Sequence, residues 1–180
     1  MEIKPRNHTG VLLYVGSTKD KENDFLLLEL VDGRLRLTID NGNGPLVAEV
    51  GGFQLLNVCD GQWHTVELLK MGNLVMLQFD QVTSGPRLQT SSKKLSADTD
   101  SPLYIGGHPL GVSPIQLASL GERFSTAWKA PTPFPGNYAG CLRKLSFNSK
   151  VTKSFNEYDF RSPLANYFVG EVSSSVCPAA

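Results

Sequence analysis

The sequence predicts an all-β fold, an antiparallel sandwich or barrel, and three observations predict it. Apolar runs are short and never extend into a convincing long helix. Arg34-Leu35-Arg36-Leu37-Thr38-Ile39 alternates polar with apolar, the period-two mark of a strand with one buried face. Glycine-bearing turn signals recur about every 8–12 residues, the spacing of short strands joined by tight connections.

The elements follow in order. Gly10 to Val15 (GVLLYV) and Phe25 to Leu30 are apolar strand runs. Asp32-Gly33 joins the second to the alternating run Arg34 to Ile39, and Asp-Gly between two such runs is a strong hairpin signal. Asn41 to Pro45 reads as a loop and Leu46 to Val50 as a strand. Asp60-Gly61 turns into Trp63 to Leu69, and Met71-Gly72-Asn73 turns into Leu74 to Asp80. Leu103 to Gly107 is a strand ending in two glycines. Cys141 to Asn148 (CLRKLSFN) alternates again, which turns one of Arg143 and Lys144 inward or along the sheet. His108 to Gly136 carries Pro109, Pro114, Pro131, Pro133 and Pro135 and reads as an irregular surface excursion. Ile115 to Lys129 within it has room for a helical turn or two, interrupted by Gly121.

Length and charge bound the function. A chain of 180 residues fits one domain, here taken as 1–180. A chain of that size hides about 70% of its unfolded surface, enough for a real core. Seventeen basic and seventeen acidic residues cancel, so no global field draws the chain to nucleic acid. No apolar run approaches the roughly 20 residues of a membrane span, and the start lacks the apolar core of a signal peptide. If the protein is secreted, this chain is an excised piece of a longer one. Cys59, Cys141 and Cys177 have no zinc spacing; they read as one bridge plus an odd thiol outside the cell, or as three thiols inside it. Asn7-His8-Thr9 is a glycosylation triplet, a weak signal alone.

The candidate site lies where acids meet the mouths of apolar strands. Asp24 immediately precedes Phe25 to Leu30, and Asp98 and Asp100 precede Leu103 to Gly107. Two strand-end carboxylates gathered at one rim of a sheet make a hard-oxygen metal site, which suits calcium and a binding surface rather than catalysis. Asp40 neighbours this set. Arg87, Lys93 and Lys94 lie near the second acidic run and would attract sulfated or acidic sugars. Cys59 and His64 are five residues apart, but no third group orients them as a catalytic pair. No phosphate loop, zinc-helix motif or serine triad is present.

Four segments in order resemble the laminin G-like family. Gly10-Val11-Leu12-Leu13-Tyr14 matches its early strand, and Asp60-Gly61-Gln62-Trp63-His64-Thr65-Val66 its D-G-x-W-H-x-V hairpin. Pro102-Leu103-Tyr104-Ile105-Gly106-Gly107 matches its P-L-Y-x-G-G strand, and Tyr138-Ala139-Gly140-Cys141-Leu142 its F-x-G-C opening. The wording is most similar to G-like modules of laminin alpha chains; agrin, perlecan and neurexin modules fit less well. The resemblance implies a jelly-roll-like sandwich of two curved antiparallel sheets, a Cys141–Cys177 disulfide, a core Trp63, and secretion into the extracellular matrix of basement membranes. It implies weak calcium binding by Asp24 and Asp98 with backbone carbonyls of Asn41 and Ser96. The partners it implies are cell-surface receptors (a glycosylated receptor or an integrin), acidic or sulfated glycans, and neighbouring modules, with no catalysis. The alternatives are a spacer module in a tandem array, with ligand contacts on its neighbours, and a sugar-processing enzyme on the same fold. Two departures stand out. A strand or two expected before Glu2 is missing, which leaves an edge strand unpaired unless the C-terminal segment covers it. Leu110 to Pro135 is also longer than usual.

Overall fold

A computed structural model describes residues 1–17, 24–42, 44–51, 56–88, 94–107, 136–148, 155–157 and 177. Thirteen strands run through these residues. They are β1 (Glu2–Pro5), β2 (Gly10–Gly16), β3 (Phe25–Val31), β4 (Arg34–Asp40), β5 (Pro45–Val50), β6 (His64–Met71) and β7 (Leu74–Phe79). The later ones are β8 (Val82–Thr83), β9 (Arg87–Leu88), β10 (Tyr104–Ile105), β11 (Gly140–Arg143), β12 (Ser146–Asn148) and β13 (Phe155–Glu157). The helical turns anticipated at 115–129, and nearly all of the proline-rich excursion, lie outside the described residues.

One sheet has five strands in the order β10-β2-β3-β4-β5; a six-stranded sheet runs β11-β1-β6-β7-β8, with β9 also pairing β7. All of these pairings are antiparallel. β12 and β13 pair separately. Asp32 and Gly33 both adopt positive φ, 49° and 75°, the backbone of the primed two-residue turn that Asp-Gly favours, and Val31 pairs with Arg34 across it.

The core forms between the two sheets. Leu35, Leu37 and Ile39 of β4 meet Leu28 and Leu30 of β3, and Val75, Leu77 and Phe79 of β7 join the same cluster. β2 needs an irregularity to contribute. Its run GVLLYV has no alternation, and the register with β3 shifts between Val11 and Leu13. That bulge sends both Leu12 and Leu13 into the main core, while Val11 and Tyr14 join Phe25 and Leu27 in a second cluster.

Three expectations change. Cys141 to Asn148 is not one strand: Lys144 takes a left-handed φ of 50°, which ends β11, and Leu145 drops into the core before β12 begins. Neither Arg143 nor Lys144 points inward. Both are exposed and both reach Glu2 on β1. Trp63 is half-buried rather than core, with the Arg143 guanidinium lying 3.9 Å over its ring. β1 was not anticipated; it lies inside its sheet, between β11 and β6. The Met1 ammonium donates to the Val66 carbonyl at 3.0 Å.

Candidate functional site

One end of the five-stranded sheet gathers the strand-mouth acids. β3 and β4 are in register, with Phe25 opposite Asp40, so Asp24 and Asn41 are the next residues outward on neighbouring strands. The loop before β10 is pinned to the same end. The backbone N–H groups of Asp100 and Ser101 donate to the Gly16 carbonyl, and the Gly16 N–H donates to Ser101 Oγ at 2.9 Å. This docking carries Asp98, distant in sequence, onto Asp24.

Asp24 is the centre of the cluster and is 1% exposed. Its Oδ2 accepts the backbone N–H of Asp98 at 2.6 Å and the Lys94 ammonium at 2.8 Å. The same ammonium lies 3.1 Å from Asp98 Oδ2. Asp98 itself is exposed, and Ser96 Oγ donates to its Oδ1 at 3.4 Å. Asp24 Oδ1 is buried and accepts no hydrogen bond among the described residues. A Cβ placed on Gly42 would come within 2.9 Å of that oxygen, so the glycine keeps the space beside it open. Asp40 shapes the loop that brings Gly42 there: its Oδ1 accepts the N–H groups of Gly42 and Gly44 at 2.7 and 3.0 Å.

The donor set fits a hard cation. It offers a buried carboxylate with one oxygen unclaimed among the described residues, a second, exposed carboxylate that shares the Lys94 charge with it at 3.1 Å, and the chain around Asn41 one residue beyond β4. The carboxylates are two; no group of three or more histidine, cysteine or acidic side chains with metal-binding placement occurs among the described residues. The missing signal in the sequence was Lys94. The sequence suggests a cation that attracts acidic sugars, and the side chain turns instead into the two carboxylates.

The Asp60-to-Val66 segment makes a different cluster. His64 is buried, stacked on Phe79, with Nδ1 2.9 Å from Asp80 Oδ2 and Nε2 3.1 Å from Asp60 Oδ1. Asp60 Oδ1 also accepts the Gln62 N–H at 2.8 Å, and that bond together with His64 holds its carboxyl below the usual range. Asp80 Oδ1 accepts the Thr65 N–H. Both imidazole nitrogens are therefore engaged, and the motif clamps the turn to the β6–β7 hairpin. Cys59 nearby is a free, half-buried thiol, its pKa raised by burial and then by Asp60.

Comparison with known proteins decides the family. The Laminin G domain model matches residues 3–150. The chain belongs to the laminin G domain family. It is 31% identical over 157 residues to human laminin subunit alpha-1, and that match covers 87% of this chain and 4% of the relative. Human laminin subunit alpha-3 is 30% identical over 81% of the chain and 4% of the relative, and human Protocadherin Fat 1 is 32% identical over 83% and 3%. The chain thus spans only a few per cent of the curated relatives it matches. Among solved structures, mouse laminin alpha1 chain domains LG4-5 superpose with a TM-score of 0.68 at 25% identity, covering 94% of this chain and 39% of that one. The LG1-3 region of the laminin alpha2 chain shares the fold, with a TM-score of 0.53 at 19% identity over 77% of this chain and 24% of that one.

The remaining candidate residues of this laminin G domain fall as follows. Cys141 and Cys177 form a disulfide with Cα atoms 5.6 Å apart. Asn7 is exposed in the bend between β1 and β2, and the Thr9 hydroxyl of its triplet accepts the Asp32 N–H at 3.1 Å. Arg87 is exposed on β9, opposite Val75 in the six-stranded sheet, and so is not on the sheet that builds the acidic rim. Lys93 lies outside the described residues. No helix among the described residues is long and apolar enough to cross a membrane.

Proposed function

We propose that this laminin G domain is a secreted adhesion module of the extracellular matrix, in the basement-membrane setting of its laminin relatives, and that it performs no catalysis. Its binding face is the rim built from Asp24, Asp98, Asn41 and Ser96, where calcium held by the two carboxylates presents open coordination positions to oxygens of a receptor or of an acidic or sulfated glycan. Calcium takes 6–8 oxygens, so a rim with few protein donors leaves places for a ligand. The observation that carries this reading is the buried Asp24 Oδ1, which accepts no hydrogen bond among the described residues, while the other oxygen of the same carboxylate is already neutralised by a cation. A buried carboxylate keeps its negative charge only where positive charge compensates it. Glycosylation at Asn7 belongs to the same reading, since the residue is exposed.

The test is a calcium titration by calorimetry on the wild type and on Asp98→Ala, followed by binding to an immobilised sulfated glycan with and without calcium. Saturable binding at about 10⁻⁴–10⁻³ M, lost in the variant and required for the glycan, is the expected result. Wild-type protein that takes up no calcium would remove the metal from this account. A second reading, a spacer module whose neighbours carry the ligand contacts, draws on one specific observation: Lys94 already supplies a positive charge to both carboxylates.

A further inference from the structure

We infer that Lys94 is a tethered competitor for the rim cation: its ammonium holds the place between Asp24 and Asp98, and a divalent ion gains the site only by expelling it. This inference rests on the calcium reading above and adds the residue that sets its affinity. Three features carry it. The ammonium lies 2.8 Å from Asp24 Oδ2 and 3.1 Å from Asp98 Oδ2, so it fills the space between the two carboxylates that a cation shared by them would take. Asp24 is 1% exposed, so its charge needs a partner in every state of the rim. The backbone already commits Asp24 to this spot, through the Asp98 N–H at 2.6 Å, so the carboxylate does not swing away when the lysine leaves.

Two arrangements then exclude each other. In one, Lys94 folds inward and compensates Asp24. In the other, calcium binds Asp24 and Asp98 and the lysine side chain, already 28% exposed, swings outward. There it adds a positive charge beside the ion and becomes available to an acidic ligand. The lysine thereby weakens calcium while making the calcium-bound face the more basic one.

Calcium titration of the full chain, wild type against Lys94→Met and Lys94→Gln, tests this by calorimetry, with melting temperature recorded in chelator and in millimolar calcium. Breaking one charged hydrogen-bonded contact corresponds to about ten- to a hundredfold in affinity. Both variants are expected to bind calcium about that much more tightly than wild type and to melt lower than wild type in chelator. Lys94→Gln keeps a donor for Asp24, so it remains measurable if Lys94→Met does not fold. Calcium binding by the variants alone supports the competition but overturns the calcium reading for the wild-type chain, whose rim the lysine then holds outright. Equal or weaker affinity in the variants overturns the competition while leaving the calcium reading standing. No binding by any of the three proteins overturns both.

Discussion

Glu29 is the residue whose position in the fold is hardest to reconcile with its chemistry. It shares a strand face with Phe25 and Leu27, is 1% exposed, and its Oε2 accepts no hydrogen bond among the described residues. Arg36 sits across from it on β4 but directs its guanidinium to Glu49 at 2.8–2.9 Å. Burial pushes the Glu29 carboxyl up to about 7; the positive charge of Arg36 opposes this and the negative charge of Glu49 adds to it. An unfolded glutamate loses its proton near 4.5, so between that pH and about 7 the folded chain keeps a proton that the unfolded chain has released. Stability is then greatest below the window and falls as pH rises through it, by about 3 kcal/mol in all. Urea unfolding across this range should show the decline in wild type and a much flatter profile in Glu29→Gln, with the variant the more stable protein above pH about 7. An unaltered slope in the variant would assign the decline to other groups. The rim obeys the same electrostatics with a different solution: Asp24 is equally buried but has Lys94 and a backbone N–H on it, so its charge is compensated where that of Glu29 is not.

At the scale of elements, the readable strands are those whose sequence carries both a period and a punctuation mark. β3 and β4 were legible because Arg34 to Ile39 alternates and Asp32-Gly33 demands its turn; β6 and β7 because Gly72 does the same. β1 was not legible, since its alternation, buried at Ile3 and Pro5, lasts only four residues and ends on a proline, too short a run to stand out. The break between β11 and β12 was hidden for another reason. Alternation resumes at once in Leu145 to Asn148, and the left-handed residue is Lys144, not the glycine that would have announced it. The rim acids could be read from their place before strands. Lys94 could not, because a long side chain folding back over its own loop leaves no trace in any periodicity. Gly140 is a case where a motif residue has a plain steric cause. It opens β11 at a φ of 151°, opposite Pro5, and a Cβ there would lie 2.5 Å from the Lys4 carbonyl of β1. Gly140→Ala should therefore separate β11 from β1 and lower the unfolding free energy by about 1–3 kcal/mol. Gly136→Ala, where nothing lies within 4 Å, should change it by less than about 0.5 kcal/mol. Comparable losses at both positions would argue against the close approach of the two strands.

For the whole molecule, the two sheets divide the work. The five-stranded sheet ends in the acidic rim, whereas the six-stranded sheet carries the chain's covalent tie, because Cys141 lies on its edge strand β11 and is bonded to Cys177. The bridge closes 36 residues of sequence separation, and the chain-entropy treatment gives such a loop about 3–4 kcal/mol of stabilisation by restricting the unfolded chain. Replacing both cysteines, Cys141→Ser with Cys177→Ser, avoids adding a second free thiol to Cys59 and should lower the urea-unfolding free energy by that amount. Because the restriction acts on the unfolded state and the bridge joins the other sheet, the folded variant should keep the rim in place. Its calcium affinity should therefore equal that of wild type while its melting temperature drops in chelator and in calcium alike. Asp98→Ala should do the reverse: the affinity goes, and the chelator melting temperature moves little, since Asp98 is exposed and Lys94 still compensates Asp24. A disulfide variant that lost calcium affinity along with stability would mean that the rim depends on how the edge strand β11 is held. The two sheets would then be coupled through the core cluster they share, against which Leu142 of β11 packs.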